Sequence, residues 1–313
     1  MSLDRLQTVQ LSNFVSEYLP MSKRRICCAV VLSFAITSLF AGTRSLPAQQ
    51  LPGDESNQPF KPFRIVGDIY YVGTNDLACY LIKTPAGHIL LDTAMEESAA
   101  IVRSNITALG FKLTDIKIIL SSHAHYDHVG GHADMKAATH AQVFASAGDA
   151  SVLESGGAKA FFPIKSYKPV KVDRVIKDGE TVTLGGMALT AHLTPGHTEG
   201  NTTWTTTIAE KGKKYNVVLV GSMSINQGVH LVNYAPWPNI AAVYAKSFRV
   251  LKSLHCDVFL GPHARFFDME TKVRQLSAAP NSNPFVDPGG YRLYIARFEK
   301  LYREQLERER KAQ

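Results

Sequence analysis

The sequence predicts an α+β protein folded as a four-layer αβ/βα sandwich, with two sheets packed face to face between layers of helices. Two observations lead to this expectation. Short β-type runs followed by a helix and a buried strand occur in the first half of the chain and again in the second. No linker-like stretch separates the two halves of the 313 residues, so both are expected to share one core.

Local patterns define the elements of the first half. Apolar residues alternate in the β-type runs and recur near helical spacing in the helix, which Gly110 ends. A turn at Pro85-Ala86-Gly87 joins two runs into a hairpin. In chain order the expected elements are the strands 64–72, 78–84 and 88–91, the helix 96–109 and the short buried strand 116–120.

The second half repeats this style and ends in a charged, amphipathic stretch at 292–311 that predicts a terminal helix. Lys211-Gly212-Lys213 is expected to be a turn between two strands. The other expected elements are the strands 143–146, 182–184, 188–193, 202–208, 217–220 and 258–260, and the helices 147–154 and 240–254.

The N-terminal region has the layout of a secretory signal peptide. Lys23, Arg24 and Arg25 precede an apolar run from Ile26 to Phe40, and small residues follow it. The run is shorter than the roughly 20 residues of a membrane span. Export to the periplasm is therefore expected, with an uncleaved membrane anchor as the alternative.

These boundaries predict three segments. Met21 lies just before the basic cluster and is the expected start, which makes residues 1–20 a mis-assigned extension. Residues 21–48 are the expected signal peptide, and 49–313 are the expected single mature domain. Once the signal is cleaved, no membrane association is expected.

Charge and cysteine content narrow the class of protein. The net charge is +7, part of which lies in the leader, and no stripe of Lys and Arg with interleaved aromatics is present. Nucleic-acid binding is therefore not expected.

The cysteines fall into two pairs. Cys27 and Cys28 would leave with the leader. Cys79 and Cys256 could pair in an oxidising compartment, but two separate buried thiols are the preferred interpretation.

Side chains of metal-ligand type are concentrated after the expected strand 116–120. The motif is His123-x-His125-x-Asp127-His128, and Val129-Gly130-Gly131 follows it. A loop leaving a strand can aim alternate residues at one point, so His123 and His125 can converge on one ion. Asp127 and His128 can then face a second ion. Packing requirements alone rarely produce this spacing.

Two further histidines follow expected strand ends and complete a set of six ligands. His197 lies in Thr194-Pro195-Gly196-His197-Thr198, and His263 lies in Gly261-Pro262-His263. Imidazole nitrogens and carboxylates are suitable zinc ligands, and a catalytic zinc usually keeps three protein ligands plus water. Six ligands therefore predict two Zn²⁺ ions with room for substrate.

Together these residues resemble the metallo-β-lactamase superfamily over roughly residues 63–265. The resemblance rests on the His-x-His-x-Asp-His-x-Gly-Gly block, on Leu90-Leu91-Asp92-Thr93 and on Pro195-Gly196-His197-Thr198. It implies the metallo-β-lactamase fold and a zinc-dependent hydrolase. Asp92 is expected to support the metal loop rather than to perform chemistry.

The residue after the expected strand 217–220 distinguishes members of that superfamily. Many of its hydrolases have an Asp there that bridges both metals, and two β-lactamase subclasses have a Cys, whereas this chain has Ser222. The chain is therefore most similar to subclass B3 β-lactamases. That resemblance assigns His123, His125 and His197 to the first zinc, Asp127, His128 and His263 to the second, and Ser222 and Ser224 to the substrate carboxylate.

The implied reaction is hydrolysis of a β-lactam amide bond, which would confer antibiotic resistance. A hydroxide held between the two zinc ions would attack the lactam carbonyl, with Asp127 orienting it. The implied partner is a small-molecule β-lactam, and the resemblance implies a monomer. Another hydrolase on the same scaffold, a lactonase or thioesterase, is an alternative, as is a non-catalytic periplasmic zinc-binding protein. Loops 147–170 and 223–239 are expected to set the substrate range.

Overall fold

The computed structural model describes residues 55–279 and 282–312. The expected start at Met21, the signal peptide and the leader cysteines lie outside the described residues. In the part of the chain that is described, no helix combines the length and the apolar character needed to cross a bilayer.

One sheet has seven strands, in the order of the chain, and its first four strands are antiparallel while the last four run parallel. The strands are Phe63–Val66 (β1), Ile69–Tyr71 (β2), Tyr80–Thr84 (β3), Gly87–Leu91 (β4), Ile116–Leu120 (β5), Gln142–Ser146 (β6) and Arg174–Ile176 (β7).

The other sheet has five strands, in the order β12-β11-β10-β9-β8, and all its pairs are antiparallel except β11 with β12. The strands are Thr181–Leu184 (β8), Met187–Leu193 (β9), Thr202–Glu210 (β10), Lys213–Leu219 (β11) and Val258–Leu260 (β12). The α-helices are Ala99–Ala108 (α1), Tyr126–Val129 (α2), His132–Thr139 (α3), Ala147–Glu154 (α4), Ile240–Ser253 (α5), Met269–Ala278 (α6) and Pro288–Lys311 (α7).

Alternating strand residues divide the core into two clusters. In β3, Tyr80 and Ile82 belong to a cluster that joins both sheets and continues to α5 and α7, whereas Leu81 belongs to a cluster shared with α1 and α3. Successive side chains of a strand point to opposite faces of a sheet, so the first sheet is buried on both faces. This arrangement confirms the predicted α+β class and the layered sandwich.

Three local expectations need correction. The expected single strand 64–72 is a hairpin of β1 and β2, because Gly67 turns the chain at a φ of +50°. Strand β11 begins at Lys213, which pairs with Glu210, so the hairpin is longer than predicted. Its exposed polar residues carry no apolar pattern. The edge strand β7 and helix α6 were missed as well, because few of their residues are buried.

The two cysteines of the described chain are separate. Cys79 and Cys256 are both free and buried, as the preferred interpretation predicted. Burial raises the pKa of the Cys256 thiol to about 12 and raises that of Cys79 as well. Both therefore behave as small apolar core residues rather than as nucleophiles.

Candidate metal centre

The candidate ligands all lie in segments that follow the C-terminal end of a strand. The His123–His128 motif follows β5, His197 follows β9 and His263 follows β12. The backbone carbonyl of Ser122, next to the motif, accepts a hydrogen bond of 2.8 Å from the Thr202 amide of β10. The two sheets are thereby joined at the edge where the ligand loops meet.

Three imidazoles form the first cluster. The ring centroids of His123, His125 and His197 are 4.5–4.8 Å apart. Each offers a ligand atom within 4.8 Å of those of the other two, and all three are buried. The structure therefore brings together the residues that sequence analysis assigned to the first ion.

The second cluster contains one carboxylate and two imidazoles. Asp127 Oδ2 lies 3.3 Å from His128 Nε2 and 3.6 Å from His263 Nε2. The ring centroids of His128 and His123 are only 4.2 Å apart, so the two clusters are adjacent. The grouping matches the set that sequence analysis assigned to the second ion.

Unsatisfied ligand atoms show that these residues fit metal ions. The Nε2 atoms of His123 and His125 are buried and have no hydrogen-bond partner among the described residues. A buried nitrogen without a partner is costly, whereas nitrogen and carboxylate donors in sets of three suit zinc.

The neutral state of four candidate histidines also favours metal binding. Burial lowers the pKa of His125 to about 4 and that of His263 to about 3, and it lowers those of His123 and His197 as well. These imidazoles are therefore neutral near pH 7, which is the form that binds a metal. Burial opposes the charged form of His128 too, but Asp127 and Asp92 outweigh it and raise its pKa to about 10.

Asp92 lies where a supporting role requires it. Its carboxylate accepts hydrogen bonds of 2.7 Å from the Ser122 amide and 2.5 Å from the Ser122 hydroxyl. That hydroxyl also lies 3.0 Å from His123 Nδ1, and Asp92 Oδ2 is 3.5 Å from His128 Nδ1. One buried carboxylate therefore contacts both clusters, directly or through one residue.

Sequence reasoning missed Asp76, which supports the second cluster. Its Oδ2 atom lies 3.0 Å from His263 Nδ1, and its other oxygen accepts a hydrogen bond from the Arg265 amide. Arg265 also forms an ion pair with this carboxylate. Asp76 lies in a loop between β2 and β3 with no motif around it, so no signal in the sequence could have identified it.

His132, the histidine nearest to the motif, is a structural residue. Its Nδ1 atom lies 2.8 Å from Thr93 Oγ1 and its Nε2 atom 3.0 Å from Ser121 Oγ. Both ring nitrogens are thereby satisfied, so His132 is not a candidate ligand.

Comparison with known proteins identifies the family. The model of the metallo-β-lactamase superfamily matches residues 73–263, which include every candidate ligand. The chain belongs to the metallo-β-lactamase superfamily.

Solved structures of the superfamily match most of this chain. The FEZ-1 metallo-β-lactamase from Legionella gormanii is 45% identical to this chain, and the two structures superpose with a TM-score of 0.79. The match covers 80% of this chain and 97% of the FEZ-1 chain. BJP-1, a subclass B3 metallo-β-lactamase of Bradyrhizobium japonicum, is 38% identical with a TM-score of 0.76, covering 82% and 97%. The predicted similarity to subclass B3 is thereby confirmed at the level of structure.

Curated relatives carry a different name. The hydroxyacylglutathione hydrolase of Rhodospirillum rubrum is 30% identical over 137 residues, which are 43% of this chain and 45% of that protein. A second, from Methylobacterium sp., is 32% identical over 125 residues, 40% and 41% respectively. The chain thus spans less than half the length of these relatives.

At the superfamily's variable strand end, two serines lie beside the first cluster. Ser224 Oγ is 3.2 Å from His197 Nδ1, and the Ser224 carbonyl is 2.8 Å from the same atom. Ser222 is buried, and its hydroxyl lies 3.1 Å from that of Ser224. Both serines are thus close to the centre, while the predicted contact with a substrate carboxylate stays a prediction.

An aromatic wall flanks the centre and involves both loops that were expected to set the substrate range. The ring centroid of Phe162 is 5.5 Å from that of His125. Phe161 lies 4.8 Å from Phe162 and 5.0 Å from Trp237 of the other loop. Phe161, Phe162 and His125 also line a small cavity. Apolar side chains therefore border the first cluster.

Proposed function

We propose that this chain is a periplasmic hydrolase that opens the amide bond of β-lactams with two zinc ions. One observation carries the proposal: the second cluster consists of Asp127, His128 and His263, while Ser222 occupies the strand end where other members place a carboxylate or a thiolate. The similarity to β-lactamases over 97% of their chains supports it. The expected signal peptide supports the proposed location.

The six predicted ligands would hold the ions in the two clusters. Bound zinc would supply Lewis acidity toward a carbonyl and would lower the pKa of a bound water. The neutral, buried imidazoles of the first cluster contribute no charge of their own, so they preserve the positive charge of the site. The side chains of the protein would then orient the substrate and hold the attacking water by hydrogen bonds.

Asp127 is the residue best placed to manage protons in the proposed reaction. Its side chain is 32% exposed, whereas its neighbour His128 is buried. Nearby histidines outweigh the effect of burial and hold the pKa of the Asp127 carboxyl well below its usual range. The carboxylate is therefore ionised at neutral pH, so it can orient an attacking water and accept a hydrogen bond from it.

Substrate orientation in this proposal depends on Ser224 and the aromatic wall. Ser224 is partly exposed beside His197 and can donate a hydrogen bond to a substrate carboxylate. The wall of Phe161 and Phe162 offers apolar surface to the side chains that β-lactams carry. Ser222, which is buried behind Ser224, would act with it through their hydroxyl contact.

A second candidate substrate is a hydroxyacylglutathione thioester, which the names of the curated relatives favour. The two candidate substrates are distinguished by measuring which of them the protein hydrolyses. We would express the full-length chain, purify the exported protein, load it with zinc and follow the absorbance of a carbapenem as its ring opens. A parallel assay would follow thioester hydrolysis.

The proposal expects carbapenem hydrolysis that a chelator abolishes and that added zinc restores. A matched control is His255→Ala, because His255 is 78% exposed and lies outside both clusters. That variant should retain wild-type turnover. Thioester hydrolysis without lactam opening by the zinc-loaded protein would overturn the proposed substrate in favour of the second candidate.

A further inference from the structure

Asp149 is a buried carboxylate that the proposed reaction does not use. It is 2% exposed and lies in the first turn of α4. Its Oδ2 atom accepts a hydrogen bond of 2.9 Å from the Ala124 amide and one of 3.3 Å from the Thr198 hydroxyl. Its Oδ1 atom accepts one of 3.1 Å from the Gly200 amide.

These contacts join the two segments that carry the first cluster. Ala124 lies between His123 and His125, while Thr198 and Gly200 follow His197. The segments are far apart in sequence, so no local interaction sets their separation. A single side chain bonded to both therefore links them directly, in addition to the backbone hydrogen bond between Thr202 and Ser122.

Tight packing prevents the two segments from adjusting independently. A Cβ atom on Gly200 would lie 2.4 Å from the Asp149 side chain, and one on Gly148 would lie 2.5 Å from the Glu199 backbone. The Ser146 hydroxyl donates a hydrogen bond of 2.7 Å to the Gly200 carbonyl. Such close approach leaves room only for glycine, and it holds α4 directly against the loop of His197.

The backbone carbonyl of Ala124 is held as well. The Tyr167 hydroxyl donates a hydrogen bond of 3.0 Å to the Ala124 carbonyl. Both polar groups of Ala124 are therefore bound by side chains, one of them Asp149. Among the described residues, the hydrogen bonds of Asp149 reach none of the second cluster's Asp127, His128 and His263.

We propose that Asp149 is a positioning residue that sets the geometry of the first cluster, the three-histidine site, by hydrogen-bonding to both segments that carry it. Removing it then weakens metal binding at that cluster and leaves the second cluster intact. The inference rests on the proposed metal centre and is independent of which substrate the protein hydrolyses.

The test measures metal binding without substrate. Co²⁺ would be titrated into metal-free protein purified after expression of the full chain, and each site would be followed by visible absorption and by competition with a chelator. The variants are Asp149→Ala and the more conservative Asp149→Asn. Each would also be made in the His263→Ala background, where the second cluster is incomplete and the three-histidine site is measured alone.

Asp149→Ala is expected to raise the Kd of the three-histidine site about 10-fold, the lower end of the effect of losing a group that hydrogen-bonds a ligand, because Asp149 holds the ligand segments and not the ligands themselves. Asp149→Asn should weaken metal binding less, because the amide oxygen of Asn can still accept a hydrogen bond from one of the two segments. Affinity at the second site should change by less than about 3-fold, well below the effect expected for such a partner.

Asp173→Asn is the matched control. Asp173 accepts a hydrogen bond of 2.8 Å from the Val143 amide at the start of β6, away from the ligand loops. Its replacement should keep both metal affinities. Wild-type affinity in both Asp149 variants would overturn the proposal, as would an equal loss at both sites. A wild-type protein that binds no metal would overturn the metal centre itself, whereas one that binds metal without opening a lactam would overturn only the proposed substrate.

Discussion

In three of the candidate ligands, a neighbouring group contacts Nδ1 and leaves Nε2 for a metal. His197 Nδ1 faces the Ser224 carbonyl, His263 Nδ1 faces Asp76, and His123 Nδ1 faces the Ser122 hydroxyl. A partner on one ring nitrogen fixes the tautomer and the orientation of the ring. The residues around the ligands therefore prepare the centre before any ion arrives.

At this scale we predict that His263→Ala removes one metal site. The change deletes one of three ligands of the second cluster, so the protein should bind one equivalent of zinc in place of two. The kcat/KM for β-lactam should fall by more than about 100-fold, because losing a ligand exceeds the 10- to 100-fold cost of losing an outer partner.

Metal analysis by atomic absorption and steady-state kinetics check this prediction. The exposed His255→Ala serves as the control and should match the wild type. Two bound equivalents together with undiminished turnover in His263→Ala would contradict the assignment of this ligand.

Among the elements, helix α7 is stabilised at its start by Asp287, which caps the helix and pairs with a buried lysine. The Asp287 side chain caps the helix by accepting a hydrogen bond of 2.8 Å from the Gly290 amide. The same carboxylate lies 2.8 Å from the Lys272 ammonium of α6, whose side chain is only 8% exposed. One residue therefore stabilises the start of α7 and neutralises a buried charge.

Replacing Asp287 with Ala should lower the free energy of unfolding by about 2–4 kcal/mol. A lost N-cap costs about 1 kcal/mol, and a buried cation left without its partner adds roughly 1–3 kcal/mol. Urea denaturation would measure the change.

The control for that experiment is Glu270→Ala. Glu270 pairs with Arg274 on the surface of α6, where both side chains are largely exposed, and such pairs contribute about 0.5 kcal/mol or less. If Asp287→Ala lowers the free energy of unfolding by no more than Glu270→Ala does, the cap and the pair with Lys272 do not stabilise the protein.

For the whole molecule, burial of many histidines determines how stability depends on pH. Burial lowers the pKa of seven of them, including His88 and His192. The shift is large for five: His123, His125, His132, His197 and His263. In the unfolded chain these groups bind protons near pH 6.5, whereas in the folded protein they do so only well below that. The unfolded state therefore gains protons first as the pH falls.

The metal-free protein should consequently lose stability as the pH falls from about 6.5 to 4.5. Each group that is protonated only in the unfolded state contributes about 1.4 kcal/mol per pH unit. Asp149 and His128 act in the opposite direction. Burial raises the pKa of Asp149 to about 7, Asp127 and Asp92 raise that of His128 to about 10, and the folded form of each then holds the extra proton. The five histidines outweigh these two groups.

Urea denaturation with a chelator at several pH values tests the prediction. His132→Asn should reduce the slope of the free energy of unfolding against pH by the equivalent of about one proton, because burial lowers the pKa of His132 to about 3. The exposed His255→Ala should leave it unchanged. A flat stability profile between pH 6.5 and 4.5 would contradict the predicted protonation states.

Much of the fold was predictable because its core elements carry strong local patterns. The strands at Ile116–Leu120 and Val258–Leu260 have the predicted bounds, since each is a short apolar run buried in the sheet. Helix α4 also matches. Elements without an apolar pattern, such as β7, were missed because pairing with a neighbouring strand, not composition, makes them strands.

The sequence by itself identified the candidate ligands, because metal chemistry restricts the residue types and the motif's spacing places four of them on one loop. The family resemblance supplied their division into two sets. The tertiary structure alone decided which other groups hold them. Asp76 and Asp149 each act through hydrogen bonds to segments distant in sequence. Nothing in the residues around them encodes such contacts, because only the packing of the two sheets brings those segments together.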